Sequence, residues 1–371
     1  METTNSIVSQ SIRPAISSLG GYHAGPSLQE VAERHHLQLR DLIKLDANEH
    51  PYGMPPHAAA AVKQSDVTRY PDAAARALRA GLAGYTGIPA EQIVVGDGSD
   101  ELLHLLCFIT LEPGDEVITV EPTFSVYALN AQQCGARVIP IQRDEQFNFA
   151  PAQLLEAVGP RTKLIFLCSP NNPTGNPLPL PLVEQALSSG KLVVVDEAYI
   201  EFGGEAVLPL FKQWPNLLAL RTFSKFFGLA GLRVGYGLFP LELAEAFQQV
   251  RAPFNVSRPA QEAALAALTE DLPLLLERRD ETVRERERLY AAIKLLPGLH
   301  AFPSQGNFLL IQVEKPLEAR QALETLASAG ILARTFSSER LRDSFRLTIG
   351  TPEQNARVLA ALSQFTQDAD R

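Results

Sequence analysis

From about residue 90 onward the sequence alternates short, almost uninterrupted apolar runs with stretches of helical pattern: "QIVVG", "DEVITV", "TKLIFLCS", "KLVVVDEAY", "NLLALRTF" and "RVGYGLF". A run with no polar side does not suit a sheet with one face in water. It suits a sheet covered on both faces, the situation of parallel strands joined by crossover helices. The reading is therefore an α/β layer structure with a mostly parallel sheet, whose chemistry should gather at the carboxyl ends of the strands. Beyond it, the charged helical stretch "LLLERRDETVRERERLYAAIKLL" is followed by "NFLLIQV", a helix through "ALETLASAG", and "SFRLTIG". That is the order of a second, smaller α+β domain, with the long helix linking the two. The polar first 45 residues, broken by "HAGPS", read as an arm.

The length, 371 residues, allows two or three domains with real cores. A net charge of −9 argues against non-specific binding to nucleic acid or anionic membrane, but says nothing about an arginine pocket sized for one phosphate. Cys107, Cys134 and Cys168 form no zinc or disulfide spacing, and two of them sit in apolar runs, so reduced thiols are expected. His35 and His36 have no third ligand nearby, and no metal site is expected. The start lacks the basic-then-apolar pattern of a signal peptide, and no apolar run approaches the ~20 residues of a membrane span. The expectation is a cytoplasmic protein.

Four stretches fall at strand ends. "VVGDGSDELLHLLCF" runs from a strand through Gly96, Gly98 and Ser99 into a helix, offering free N–H groups to an anion; it is equally an ordinary turn with Ser99 as N-cap. "SPNNPTG" (169–175) is a rigid turn that can hold an Asn amide, or a plain loop. "VVVDEAY" places Asp196 and Glu197 at the end of the most apolar strand, where an unpaired carboxylate is costly, so Asp196 wants a cationic partner or serves as a helix cap. Tyr199 follows three residues later. In "TFSKFFGLAGLRVGYG", Lys225 stands among Ser, Thr and Gly with no carboxylate nearby, which suits an amine that condenses with a carbonyl, although most loop lysines are merely exposed.

In this order, "GDGSDE", "SPNNPTG", "DEAY" and "SKFFGLAGLRVGYG" resemble the pyridoxal-phosphate aminotransferases of the aspartate aminotransferase fold, and among them the histidinol-phosphate aminotransferases most. The likeness runs from "LDANEHPYG" and "RYPD" to "FRLTIGTPEQN". It implies a fold type I transferase: an arm over 1–45, a large cofactor-binding domain over 46–250 with a mostly parallel seven-stranded sheet flanked by helices, and a smaller α+β domain over 251–371. It implies pyridoxal 5'-phosphate held covalently by Lys225, with Asp196 on the ring nitrogen and Asn172 and Tyr199 on the ring's phenolate oxygen. Ser99, Asp100, Thr222, Ser224 and Arg233 would line the phosphate. Phe124 would stack on the ring where relatives usually carry Tyr. Tyr70, in "RYPD", would reach the neighbouring subunit's cofactor, implying a homodimer with shared sites.

The same resemblance implies a cycle in which Lys225 moves the proton from the substrate Cα and 2-oxoglutarate leaves as glutamate. Arg346 would bind the α-carboxylate of glutamate or the substrate phosphate, Arg334 the phosphate, and Tyr22 of the arm would touch the same phosphate. His50 is set aside, because Lys225 already performs the proton transfer. Two neighbouring activities stay open on these residues: an aromatic amino acid aminotransferase, and a threonine-phosphate decarboxylase using the same cofactor. A ligand-sensing role in a transcription regulator would need a basic DNA-binding segment that the sequence lacks.

Overall fold

A computed structural model describes residues 7–17, 19–21 and 25–369. Its centre is a seven-stranded sheet made of β1 (Ile93–Asp97), β2 (Glu116–Glu121), β3 (Arg137–Gln142), β4 (Thr162–Cys168), β5 (Leu192–Asp196), β6 (Leu217–Thr222) and β7 (Val234–Leu238), in the spatial order β1-β7-β6-β5-β4-β2-β3. Only β7 runs against its neighbours, so the sheet is mostly parallel, as expected. Neighbouring residues along a strand enter different cores. Val94, Val117, Leu164 and Leu218 pack under helices Gly98–Thr110, Val126–Gln133 and Leu241–Val250, whereas Val95, Ile118, Ile165 and Ala219 join the core on the opposite face. Both faces being dry explains why the strands read as continuous apolar runs.

The expected strand segments all form. β3, "RVIPIQ", was not anticipated. It lies at the sheet edge, is half exposed, and carries Pro140, which an edge strand tolerates because one side of its backbone is unpaired.

A second core surrounds the antiparallel sheet of Leu299–Ala301, Phe308–Val313 and Ser344–Thr348, covered by helices Ala319–Ser328 and Pro352–Ala369. Helix Leu272–Ile293 reaches from one core to the other: Leu275 is buried in the first, Leu289 and Ile293 in the second. Two details concern the borders. Ile43–Lys44 pairs in parallel with Ile331–Leu332, which ties the end of the arm segment to the second core. Helix Arg258–Thr269 buries its alanines against helices Pro56–Gln64 and Arg76–Thr86, on the side of the large sheet.

The register fixes where function can sit. Cys168 lies beside Asp196, Asp196 beside Leu220, Thr222 beside Gly235, and Asp97 beside Val234. The carboxyl ends of β1, β4, β5 and β6 and the entry to β7 therefore share one end of the sheet.

Candidate active site

At the end of β1 the chain turns directly into helix Gly98–Thr110, with Asp97, not Ser99, in the cap position. Gly98 has φ +75°, and a Cβ there would lie 2.4 Å from Arg233 Nη2, so the absence of a side chain lets the guanidinium lie across the helix N-terminus. Arg233 itself takes a left-handed backbone (φ 53°) at the entry to β7. Its Nη2 donates to Asp100 Oδ2 at 3.1 Å and its Nη1 to Ser224 Oγ at 3.5 Å. Thr222 Oγ1 accepts from the Ser224 N–H at 3.1 Å. Ser99, in the first turn, packs its backbone against Gly235, where a Cβ would come within 2.3 Å of the Ser99 nitrogen. These groups form a cradle of N–H, hydroxyl and guanidinium donors at a helix N-terminus, suited to a phosphate.

The two adjacent carboxylates at the end of β5 are treated differently. Glu197, fully buried, receives Arg221 Nε at 2.9 Å and Nη2 at 2.8 Å, and the Val207 N–H at 2.7 Å. Asp196, 4% exposed, receives only the Tyr127 hydroxyl at 2.6 Å and the Ala198 N–H at 3.0 Å. Burial pushes its carboxyl up to about 6, against the lowering effect of the Tyr127 hydrogen bond. Among the described residues it has no cation of its own. Tyr127 is fully buried, stacks on Phe166 with ring centroids 5.0 Å apart, and meets Phe124 edge-on at 5.6 Å.

In the turn after β4, Asn171 is the structural residue: its Nδ2 donates to the Pro122 carbonyl and to Thr174 Oγ1, and its Oδ1 accepts from Thr123 Oγ1. That locked turn leaves the Asn172 Oδ1 to accept from Arg346 Nη1 at 2.5 Å. Arg346 Nη2 donates to the Asp46 carbonyl at 2.6 Å, and its guanidinium lies 5.5 Å over the Phe308 ring. Arg334 and Arg346 exchange both backbone N–H···O bonds, each 2.9 Å, which sets the two arginines directly opposite each other. The described part of the arm passes here too, since a Cβ on Gly25 would lie 3.7 Å from Arg334 Nη1.

Lys225 follows β6. Its Nζ donates to the Ala47 carbonyl at 2.8 Å and lies 5.8 Å over the Tyr199 ring. Burial first, and then the positive Arg346, lower its ammonium to about 8, so the neutral amine is accessible near neutral pH. Tyr199 Oη accepts from Asn48 Nδ2 at 3.0 Å, and burial raises its hydroxyl to about 12.

The structure thus brings together Ser99, Asp100, Asn172, Asp196, Tyr199, Thr222, Ser224, Lys225, Arg233, Arg334 and Arg346, with Phe124 alongside Tyr127. Tyr70 is elsewhere. It is 77% exposed and stacks on Phe254, itself at the surface, with centroids 4.5 Å apart. Tyr22 lies outside the described residues. His50 is buried and held to about 4 by burial and by Arg278, so it is neutral; its Nδ1 accepts from the Tyr52 N–H.

Sequence reasoning missed Tyr127, Asn48 and Thr348. The first had a signal in "PTFSVY", where two aromatics three apart share a side at the start of a helix. Asn48 has φ 53°, a conformation for which Asn is enriched, yet nothing in "DANEHPYG" tells that residue from its neighbours.

The family described as aminotransferase class I and II matches residues 40–362. The histidinol-phosphate aminotransferase of Roseiflexus castenholzii is 42% identical over 362 residues, covering 95% of this chain and 97% of the relative. That of Methanosarcina mazei is 44% identical over 94% of this chain and 95% of its own. Among solved structures, histidinol-phosphate aminotransferase from Sinorhizobium meliloti in complex with pyridoxal 5'-phosphate superposes with a TM-score of 0.86 at 28% identity, covering 97% of this chain and 98% of that one.

Proposed function

This chain belongs to the class I and II aminotransferases, and on that footing we propose that it transfers the amino group of L-histidinol phosphate to 2-oxoglutarate, giving imidazole acetol phosphate and L-glutamate in histidine biosynthesis. The cofactor is pyridoxal 5'-phosphate. The observation that carries this reading is the asymmetry at the end of β5: Glu197 has Arg221, whereas the buried Asp196 has two neutral donors and, among the described residues, no cation. A protonated ring nitrogen is the cation that fits there. The cradle over Gly98 fits the cofactor's phosphate, and Lys225 fits its aldehyde. When bound, the cofactor supplies an electron-poor ring that takes up the electron pair left when the substrate Cα loses its proton.

The remaining chemistry belongs to the chain. Asp196 holds the positive charge of the ring nitrogen, and the Tyr127 hydroxyl keeps Asp196 ionised. Asn172 and Tyr199 donate to the phenolate oxygen, and Phe124 packs on the ring. Ser99 and Asp100, through backbone N–H groups, and Thr222, Ser224 and Arg233 hold the phosphate; the Asp100 carboxylate orients Arg233. Lys225 Nζ takes the Cα proton, a task that suits an amine near 8. Arg346 binds the α-carboxylate of glutamate or the substrate phosphate, and Arg334 the phosphate, each through a planar two-donor fork. Tyr22, outside the described residues, is proposed as a further donor to that phosphate.

Supporting a homodimer, in which Tyr70 would reach the neighbouring subunit's cofactor, is the exposed aromatic pair Tyr70 and Phe254 at the surface of this chain. No helix among the described residues is long and apolar enough to cross a membrane, in keeping with the cytoplasmic reading. The packing of helix Arg258–Thr269 on the large-sheet side favours dividing the two domains within helix Leu272–Ile293.

The relatives favour histidinol phosphate over the aromatic and decarboxylase readings. The test is a donor panel with 2-oxoglutarate on the cofactor-loaded protein: histidinol phosphate, phenylalanine, tyrosine and phosphothreonine. Histidinol phosphate is expected to lead in kcat/KM. A leading aromatic donor, or carbon dioxide released from phosphothreonine, overturns the substrate assignment.

A further inference from the structure

Three consecutive residues form a strap across the site. The Asp46 carbonyl accepts from Arg346, the Ala47 carbonyl from Lys225, and the Asn48 side chain donates to Tyr199. Asn48 is fully buried and Thr348 is 1% exposed. Their hydrogen bonds can be followed proton by proton. The Asn48 N–H donates to Thr348 Oγ1 at 2.9 Å. A hydroxyl that accepts there still has its own proton to place, and Thr348 gives it to Asn48 Oδ1 at 3.1 Å. The amide oxygen is thereby identified, so the group facing Tyr199 is Nδ2, which carries only donors. It donates to Tyr199 Oη at 3.0 Å. The Asn307 Nδ2 donates to the Asn48 carbonyl at 3.1 Å and holds the strap from the other side.

The outcome is a one-way chain ending at Tyr199. Its oxygen is occupied as an acceptor, and no acceptor for its own proton exists among the described residues. We propose that Asn48 and Thr348 are positioning residues that aim the Tyr199 proton into the site, making Tyr199 an obligate donor to the anionic ring oxygen of the cofactor. This rests on the cofactor reading above. An amide at Asn48 facing the other way would compete for the same proton, and Thr348 is what prevents that orientation. A structural filler would need only shape; this pair supplies direction. Two electrostatic features agree with the assignment. Burial raises the Tyr199 hydroxyl to about 12, against the lowering effect of the positive Arg346, so it keeps its proton to donate, and the strap's carbonyls accept from Lys225 and Arg346, leaving the Asn48 Nδ2 for the tyrosine.

The consequence is measurable without turnover. The cofactor joined to Lys225 absorbs visible light, and its band shifts with pH when the proton shared by the linking nitrogen and the ring oxygen is lost. A donor to that oxygen stabilises the deprotonated form, so losing the donor raises the midpoint. Tyr199→Phe is expected to raise it by roughly one pH unit, the scale of one hydrogen bond to an ionised oxygen. Asn48→Gly keeps the left-handed backbone without strain and removes the amide; Thr348→Val keeps the shape and removes the hydroxyl. Each is expected to raise the midpoint by about half as much, and neither to raise it further in the Tyr199→Phe background. Thr348→Ser, which retains the hydroxyl, is expected to leave the midpoint in place. Unmoved midpoints in Asn48→Gly and Thr348→Val, or equal shifts with and without the Tyr199 hydroxyl, overturn the proposal. Absence of any pH-dependent band in the parent protein overturns the cofactor reading instead. If Asn48→Gly does not fold, the Thr348 pair decides alone.

Discussion

The burial of Asp196 without a cation makes a prediction about the protein before its cofactor arrives. Its carboxyl titrates at about 6 instead of 3.8, and at ~1.36 kcal/mol per unit the cost of keeping it ionised in the folded apoprotein is about 3 kcal/mol. Because the folded-state value is raised, the associated stability is fully present below the unfolded value of 3.8 and is lost as pH rises through about 6. Asp196→Asn removes the titration while keeping the shape. The amide presents a donor where one carboxylate oxygen accepted, so the Tyr127 hydroxyl must rearrange, at a cost of about 1 kcal/mol. The cofactor-free variant should therefore be more stable than the cofactor-free parent by about 2 kcal/mol at pH 8, and no more stable at pH 4.5. With pyridoxal phosphate present the order reverses, since the parent gains the ring-nitrogen ion pair and the variant does not. Urea unfolding of both proteins at the two pH values, with and without cofactor, reads all four states. If the variant's advantage is the same at both pH values, or absent at pH 8, the carboxylate is not the source of the strain and the reasoning fails.

Arg334→Ala should raise KM for histidinol phosphate by roughly 10- to 100-fold, the scale of a lost charge-assisted pair, while leaving KM for phenylalanine nearly unchanged; steady-state kinetics on the two donors checks this, and equal effects would remove Arg334 from phosphate recognition. Tyr127→Phe deletes a hydroxyl donor to Asp196 and should push that carboxyl further up, weakening cofactor affinity roughly 10-fold, as followed by quenching of protein fluorescence when the apoprotein is titrated with pyridoxal phosphate.

The large sheet was legible because its physics leaves a plain mark: strands with both faces dry contain no polar register. β3 escaped because an edge strand with Pro140 and exposed positions carries no such mark. Strand-end motifs pointed to Lys225, Asp196 and Asn172, with Arg233 at the entry to β7, and the structure draws these residues to one end of the sheet. What the sequence could not supply was the partner of either adjacent carboxylate, Asp196 or Glu197. The alternation of side chains along β5 sends one to Arg221 and the other to Tyr127, and both partners are remote in the chain. Asn48 and Thr348, 300 positions apart, meet only because the segment after Ile43–Lys44 runs beside the second sheet.

The backbone exchange between Arg334 and Arg346 has an energetic side beyond recognition. The bridge fixes where the two side chains leave the backbone, and the Arg346 guanidinium is held by Asn172 and the Asp46 carbonyl. On the proposed anion-binding roles, inorganic phosphate or sulfate in a buffer is expected to compete with the phosphorylated substrate and to raise apparent stability relative to chloride, because a ligand that binds only the folded chain stabilises it.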